Sequence, residues 1–246
     1  MRRYAAALLL GAVHALSFAP GPLPSWGLPF VELIALAFLA YYVFQAPTVR
    51  QAALTGFLFG LGNFTLGFYW LFISLHSYGG LASPLAAGAV LILAAVEALF
   101  ITLAVTLARW LSARQLHVLS NYRWQLLIAA VWASCWTAAE WLRGTLFTGF
   151  PWLNTGYAHV EGLLANWAPI LGVYGLVWLA SFAAAGIALL ACAKDTQNDA
   201  RAAVVVAVAI ATGLIGIGLG HIAWSTPHGK PMLVRLVQGN IPQSEK

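Results

Sequence analysis

The sequence predicts an all-α integral membrane protein: a bundle of about seven transmembrane helices followed by a single β-strand. Three observations carry this prediction. Hydrophobic residues fill 61% of the 246 positions and charged residues 8%, whereas a soluble domain carries about 25% charged residues. Mean hydropathy is +0.83. The apolar residues fall into seven runs of membrane-crossing scale separated by short polar turns, and only after the seventh does the pattern change to that of a strand.

The first run follows Met1-Arg2-Arg3 and extends from Tyr4 to Ala19. Val13-His14-Ala15 is a poor signal-peptidase site and the run continues past it, so an uncleaved first helix is expected. Ala19 to Gly27, with Pro20, Pro22 and Pro24, is a rigid uncharged turn. Leu28 to Phe44 is the second helix, with Glu32 near its outer end, where snorkelling to water costs little. The third, Ala52 to Ile73, contains Gly56 and Gly60 four residues apart, which permits a close neighbour. Its Asn63 is a mid-membrane amide that needs a partner on another helix.

The third helix ends in Phe68-Tyr69-Trp70, and Ser74 to Pro84 forms an outer loop containing His76, Tyr78, Gly79 and Gly80. Leu85 to Leu107 is the fourth helix, with Glu97 close to the midplane. An ionisable group there costs about 2.5–3.5 kcal/mol, which marks a functional or strongly paired position. Arg109, Arg114 and Arg123 frame a basic loop before the fifth helix, Trp124 to Phe147. Ile170 to Ala191 is the sixth, and the charged turn Lys194 to Arg201 leads to the seventh, Ala202 to Trp224. Gly213, Gly216, Gly218 and Gly220 make that helix closely packable. Pro231 to Val237 then reads as a buried β-strand, which has no independent stability as a lone strand.

Charge placement orients the bundle. With seven crossings and an inside amino terminus, the inner segments hold Arg2, Arg3, Arg50, Arg109, Arg114, Arg123, Lys194 and Arg201, while the outer loops between helices hold Arg143. This asymmetry puts the terminal strand outside. It also accounts for the net charge of +5 by topology, with no nucleic-acid partner implied. Cys135 and Cys192 lie in apolar segments without Cys/His ligand spacing, so neither a disulfide, a metal nor another cofactor is indicated. Thiols so placed are unreactive.

The stretch Glu140 to Tyr157, EWLRGTLFTGFPWLNTGY, is where an apolar helix ends in a charge pair and an aromatic loop begins. Glu140 and Arg143 stand three apart and share a helix face. Pro151 lacks a donor and biases Phe150 towards extended geometry. Phe150, Pro151, Trp152 and Tyr157 are therefore candidates for acyl-chain or interface contact, with Trp70 and Tyr78 lining the same mouth and Glu140 and Arg143 fixing the loop or meeting a headgroup. From the residues alone a second reading stands beside this one, in which the aromatics only anchor the protein and the charge pair only satisfies itself.

The pattern E-W-L-R-G-x-x-x-T-G-F-P-W-L-N-x-G-Y over 140–157 resembles the membrane half of apolipoprotein N-acyltransferase. A second match, Leu236-Val237-Gln238-Gly239-Asn240-Ile241-Pro242-Gln243-Ser244, resembles the opening strand and turn of that family's nitrilase-like catalytic domain. The resemblance implies a transmembrane domain over 1–226 and the start of a periplasmic domain over 227–246, in the bacterial inner membrane. It implies acyl transfer from a phospholipid through a cysteine thioester to the amino terminus of a diacylglyceryl-modified apolipoprotein, by a monomer. The family's catalytic Cys, Glu and Lys lie beyond Lys246, so no catalytic residue is assigned and the chain alone is expected to be inactive. Gly239 and Asn240 would belong to the turn towards that absent site. Two other classes stay open: a lipid or small-molecule transporter using Glu97 and Asn63, and a non-catalytic scaffold.

Overall fold

Polar signals at the ends of the apolar runs set where the helices begin and stop. The computed structural model describes residues 2–18, 22–113, 122–192 and 196–240. Eight α-helices follow in order: α1 Arg2–Ala15, α2 Leu28–Phe44, α3 Val49–Gly67, α4 Tyr69–Ile73, α5 Ser83–Leu111, α6 Tyr122–Thr145, α7 Ala168–Cys192 and α8 Thr196–Leu219. The Thr48 side chain accepts the Gln51 backbone N–H at 3.2 Å and so caps α3. Proline near the first turn opens α2 and α5, where its missing donor costs nothing.

Around the core, α3 lies between α1 and α5, α5 packs on α6, α6 on α7, and α7 on α2, which closes back on α1; α8 covers α7 and α6. The α1–α3 contact depends on two glycines. A Cβ on Gly11 would stand 1.9 Å from the Phe59 carbonyl oxygen, and one on Gly62 would stand 2.0 Å from that of Leu8. Gly56 and Gly60 do the same against Val105 and Ala98 of α5. An aromatic column of Phe44, Trp132, Trp136 and Phe59 runs through the middle, with centroids 5.5–6.5 Å apart.

The seven long helices match the seven apolar runs, but seven crossings do not follow. Among the described residues, three stretches are long and apolar enough to cross a membrane: Ser25–Phe44, Ser83–Leu111 and Ala165–Cys192. A fourth is obtained if Val49–Gly67 and Tyr69–Tyr78, bent by 49°, are taken as one broken span. The physical reasons are local. The helix of α1 ends at Ala15 rather than Ala19, α6 carries Arg123, Gln125, Glu140 and Arg143, and the apolar part of α8 is the short Ala203–Leu219. The single third helix expected to Ile73 breaks at the buried Phe68, after which α4 passes into a π-helical turn over Ser74–Tyr78.

The terminal strand is a second correction. No strand occurs among the described residues, and 231–240 run irregular and exposed, with Gly239 and Asn240 in that segment and Asn240 at φ 48°. A strand needs paired backbone groups, and none of the described residues forms a strand beside these to pair with them. Ile241 to Ser244 of the terminal motif, Arg114 and Lys194 of the inner charges, and the turn Ala19-Pro20-Gly21 lie outside the described residues.

Candidate functional site

At the end of α6, Glu140 and Arg143 turn inward and organise the loop that follows. Both are buried. Arg143 Nη2 donates to Glu140 Oε2 at 2.6 Å, and Arg143 Nη1 donates to the carbonyls of Phe150 and Trp152, each at 2.7 Å. Glu140 also accepts from Asn154 Nδ2 at 3.1 Å, the Thr155 amide at 3.3 Å and the Thr155 hydroxyl at 2.9 Å. The Thr155 oxygen in turn accepts Trp136 Nε1 at 3.0 Å. Charge-assisted bonds of this kind are the strong hydrogen bonds of an interior. The pair thus fixes 150–155 from beneath, with both side chains buried inside the protein.

Backbone geometry shows how sharply this loop is folded. Phe147, Thr148 and Leu153 have φ of 51°, 76° and 58°, a region that ordinary L-residues avoid and that is strained for a β-branched threonine. Gly149 at φ 80° lies so close to the preceding turn that a Cβ there would stand 2.0 Å from the Gly144 carbonyl oxygen. Arg143 O accepts the Phe150 amide at 2.9 Å, closing the turn. Its product is Phe147 thrown outward, 90% exposed, at the tip.

Beside the loop is an open groove of about 720 Å³, lined chiefly by apolar atoms. The end of α1 gives Ala15, Leu16 and Phe18; the end of α3 and the start of α4 give Leu66 and Trp70; the loop gives Trp152 and Leu153. Trp152 stacks on Phe150 at 5.2 Å and approaches Trp70 at 6.0 Å, while Phe150 packs edge-on against the buried Phe68 at 5.1 Å. Gly67 leaves room for Leu153, since a Cβ there would lie 2.1 Å from Leu153 Cδ1. A cavity of this volume is of ligand-binding size.

Of the candidates from the sequence, Trp70 and Trp152 face the groove, Phe150 backs it, and Glu140 and Arg143 hold it from within. Pro151 packs near Gly144. Tyr78 and Tyr157 are exposed and are not among the lining residues. Gly239 and Asn240 are exposed on the segment that follows α8. Glu97 reaches the same assembly, 3.8 Å from Arg143 Nη1, and the guanidinium lies 5.3 Å over the Phe64 ring. Cys135 is half-buried within α6, and Cys192 is the last residue of α7.

The sequence reading missed a second buried assembly. Glu32 is wholly inaccessible rather than snorkelling. Its Oε2 is 3.0 Å from His159 Nε2, and its Oε1 is 3.9 Å from His14 Nε2. His14 Nδ1 is 3.0 Å from Asn63 Oδ1, which supplies the partner that the mid-helix amide requires. The available clue was three polar residues, His14, Glu32 and Asn63, on separate apolar runs; nothing in the spacing linked them to His159.

The bundle and its groove define a class, a helical membrane protein with an aromatic-walled cleft opening at one end. Residues 10–186 match the family model described as the apolipoprotein N-acyltransferase N-terminal domain. The chain is 52% identical over 238 residues to a putative apolipoprotein N-acyltransferase of Bordetella parapertussis, covering 96% of this chain and 44% of that protein. It is 44% identical to the apolipoprotein N-acyltransferase of Ralstonia nicotianae, over 99% of this chain and 44% of the relative. For that of Nitrosomonas europaea the identity is 42%, over 99% and 45%. The chain therefore belongs to the apolipoprotein N-acyltransferase family, of which it carries the N-terminal membrane domain. It spans less than half the length of these relatives.

Proposed function

We propose that this chain is the membrane half of an apolipoprotein N-acyltransferase, and that its groove holds an acyl chain of a phospholipid donor or of a diacylglyceryl-modified acceptor. The observation that carries this reading is the open apolar groove walled by Trp70, Trp152 and Leu153. Acyl chains demand such a surface, and indole rings sit readily where tails meet headgroups. Family membership supplies the reaction class, as the relatives are named for N-acyl transfer.

In this reading the protein is a monomer of the bacterial inner membrane. Its amino terminus is cytoplasmic and the groove opens on the periplasmic side. The chemistry is a double acyl transfer. A thiolate attacks the ester carbonyl of the phospholipid and expels the lysophospholipid alcohol; the acceptor's α-amine then attacks the thioester and releases the thiol. The nucleophile, base and oxyanion group belong to a nitrilase-like domain outside these residues, towards which Gly239 and Asn240 lead, and these residues alone are inactive. The helix positions of Cys135 and Cys192 support that assignment. The engagement of Asn63 with His14 and of Glu97 with Arg143 favours the acyltransferase over a transporter with those two groups in its pathway.

Native mass spectrometry of the chain released from nanodiscs of dipalmitoyl phosphatidylethanolamine tests the reading. The wild type is expected to retain phospholipid, and Trp152→Ala to lose it about tenfold, in line with ~1.4 kcal/mol for half of one buried aromatic face. Equal retention by both proteins at unchanged fold would refute the groove as the lipid site.

A further inference from the structure

Three walls of the groove come from parts of the chain far apart in sequence: the end of α1, the end of α3, and the loop after α6. Apolar packing alone fixes their separation poorly, because lipid tails are as apolar as the side chains between the walls. Glu140 and Arg143 fasten the loop at 150–155. Among the described residues, the hydrogen bonds of that pair do not reach α1.

The Glu32 assembly does. Glu32 projects from α2 and is inaccessible. From the loop, His159 Nε2 meets its Oε2 at 3.0 Å. From α1, His14 Nε2 faces its Oε1 at 3.9 Å, and from α3, Asn63 holds the other nitrogen of His14. The His14 ring packs against Phe18, which lines the groove, and against Phe59 of α3, both at 5.4 Å. The backbone agrees, because Gly162 lets the loop press on the start of α2: a Cβ there would lie 2.9 Å from Pro29 Cγ. One buried carboxylate therefore meets the loop wall directly and faces His14, which links the α1 and α3 walls.

The two contacts are unequal. His14 Nε2 and Glu32 Oε1 have no hydrogen-bond partner, although both are buried and they face each other. The loop side is tight, and the α1 side has slack.

We propose that the His14–Glu32–His159 cluster sets the width of the groove, which makes Glu32 a positioning residue for selection between slender and broad acyl chains. The inference rests on the groove being the acyl site. A straight palmitoyl chain fits between walls held together, whereas a methyl-branched phytanoyl chain needs them apart.

The test is competition between dipalmitoyl and diphytanoyl phosphatidylethanolamine for retention on the full chain, read by native mass spectrometry. The wild type is expected to prefer the straight-chain lipid. His159→Leu removes the donor to Glu32 and should reduce that preference about tenfold, the scale of one charge-assisted hydrogen bond. His159→Gln keeps an N–H donor and should restore it. A role in stability alone would lower the unfolding temperature of His159→Leu without changing the ratio. Should His159→Leu fail to fold, His14→Phe tests the α1 arm, since a phenyl ring keeps the packing on Phe18 and Phe59 while losing both nitrogens, and the same direction is expected. A wild-type ratio in the folded variant overturns the inference while the groove reading stands, because lipid is still retained. Failure of the wild type to retain either lipid overturns both.

Discussion

Replacing Arg143 by lysine keeps the charge and removes the geometry, and so separates the two contributions of this residue. Arg143 donates three hydrogen bonds, two to the Phe150 and Trp152 carbonyls at 2.7 Å and one to Glu140 at 2.6 Å. A planar guanidinium reaches all three at once, whereas an ammonium is a single point. A lysine retains the bond to Glu140 and abandons the carbonyls. Each lost bond to a charged donor is worth about 1.5–3 kcal/mol. Two would total roughly 3–6 kcal/mol, and relaxation of a loop near the bundle end lowers this to about 2–4 kcal/mol. Equilibrium unfolding in mixed detergent measures the total. Hydrogen exchange locates it, because the Phe150, Thr155 and Gly156 amides are bonded within this network, and they should exchange roughly thirtyfold faster or more. Arg143→Lys with stability within about 0.5 kcal/mol of wild type and unchanged loop exchange would refute the claim that the guanidinium, rather than its charge, holds the loop.

Two further predictions concern glycines. Gly149→Ala forces a Cβ into a φ 80° backbone 2.0 Å from the Gly144 oxygen, and a loss of about 2–3 kcal/mol is expected in the same unfolding assay; a loss below about 0.5 kcal/mol would mean that the turn rearranges freely. Gly62→Leu drives a side chain into the Leu8 carbonyl and should undock α1, seen as faster exchange along Arg2–Ala15 and lost lipid retention, while Gly88→Leu, with open space around it, should change stability by less than about 0.5 kcal/mol.

The sequence makes the helices plain because composition and punctuation act locally. Thr48 and Gln51 cap α3, and prolines open α2 and α5. The charge pair at Glu140 and Arg143 is equally visible, since residues three apart on a helix meet. The break after Gly67 was not visible, because it is imposed from outside: Leu153 of the loop presses on Gly67, and Phe68 is buried against Phe150. The difference between seven apolar runs and the three or four described stretches long and apolar enough to cross has a related reason. Apolar length marks what a membrane tolerates, while α1 and α6 are shaped by packing and buried polar groups. Pro231–Val237 shows the opposite failure, in which a strand pattern stays irregular where no neighbouring strand pairs with it.

Glu32 gives the most general lesson. A carboxylate near the end of an apolar run has two ways to avoid hydrocarbon: reach water, or find donors inside. The run itself does not distinguish them, because the deciding partner, His159, is 127 residues away. The interior solution costs desolvation, which only well-placed donors offset. Such a group persists where it specifies an arrangement that apolar contacts leave loose. Glu140 and Glu32 both grip the segment between α6 and α7, one at Asn154 and Thr155 and the other at His159. A single grip would leave the segment free to pivot about it, and two remove that freedom. The aromatic wall of the groove is thereby held by polar chemistry buried behind it.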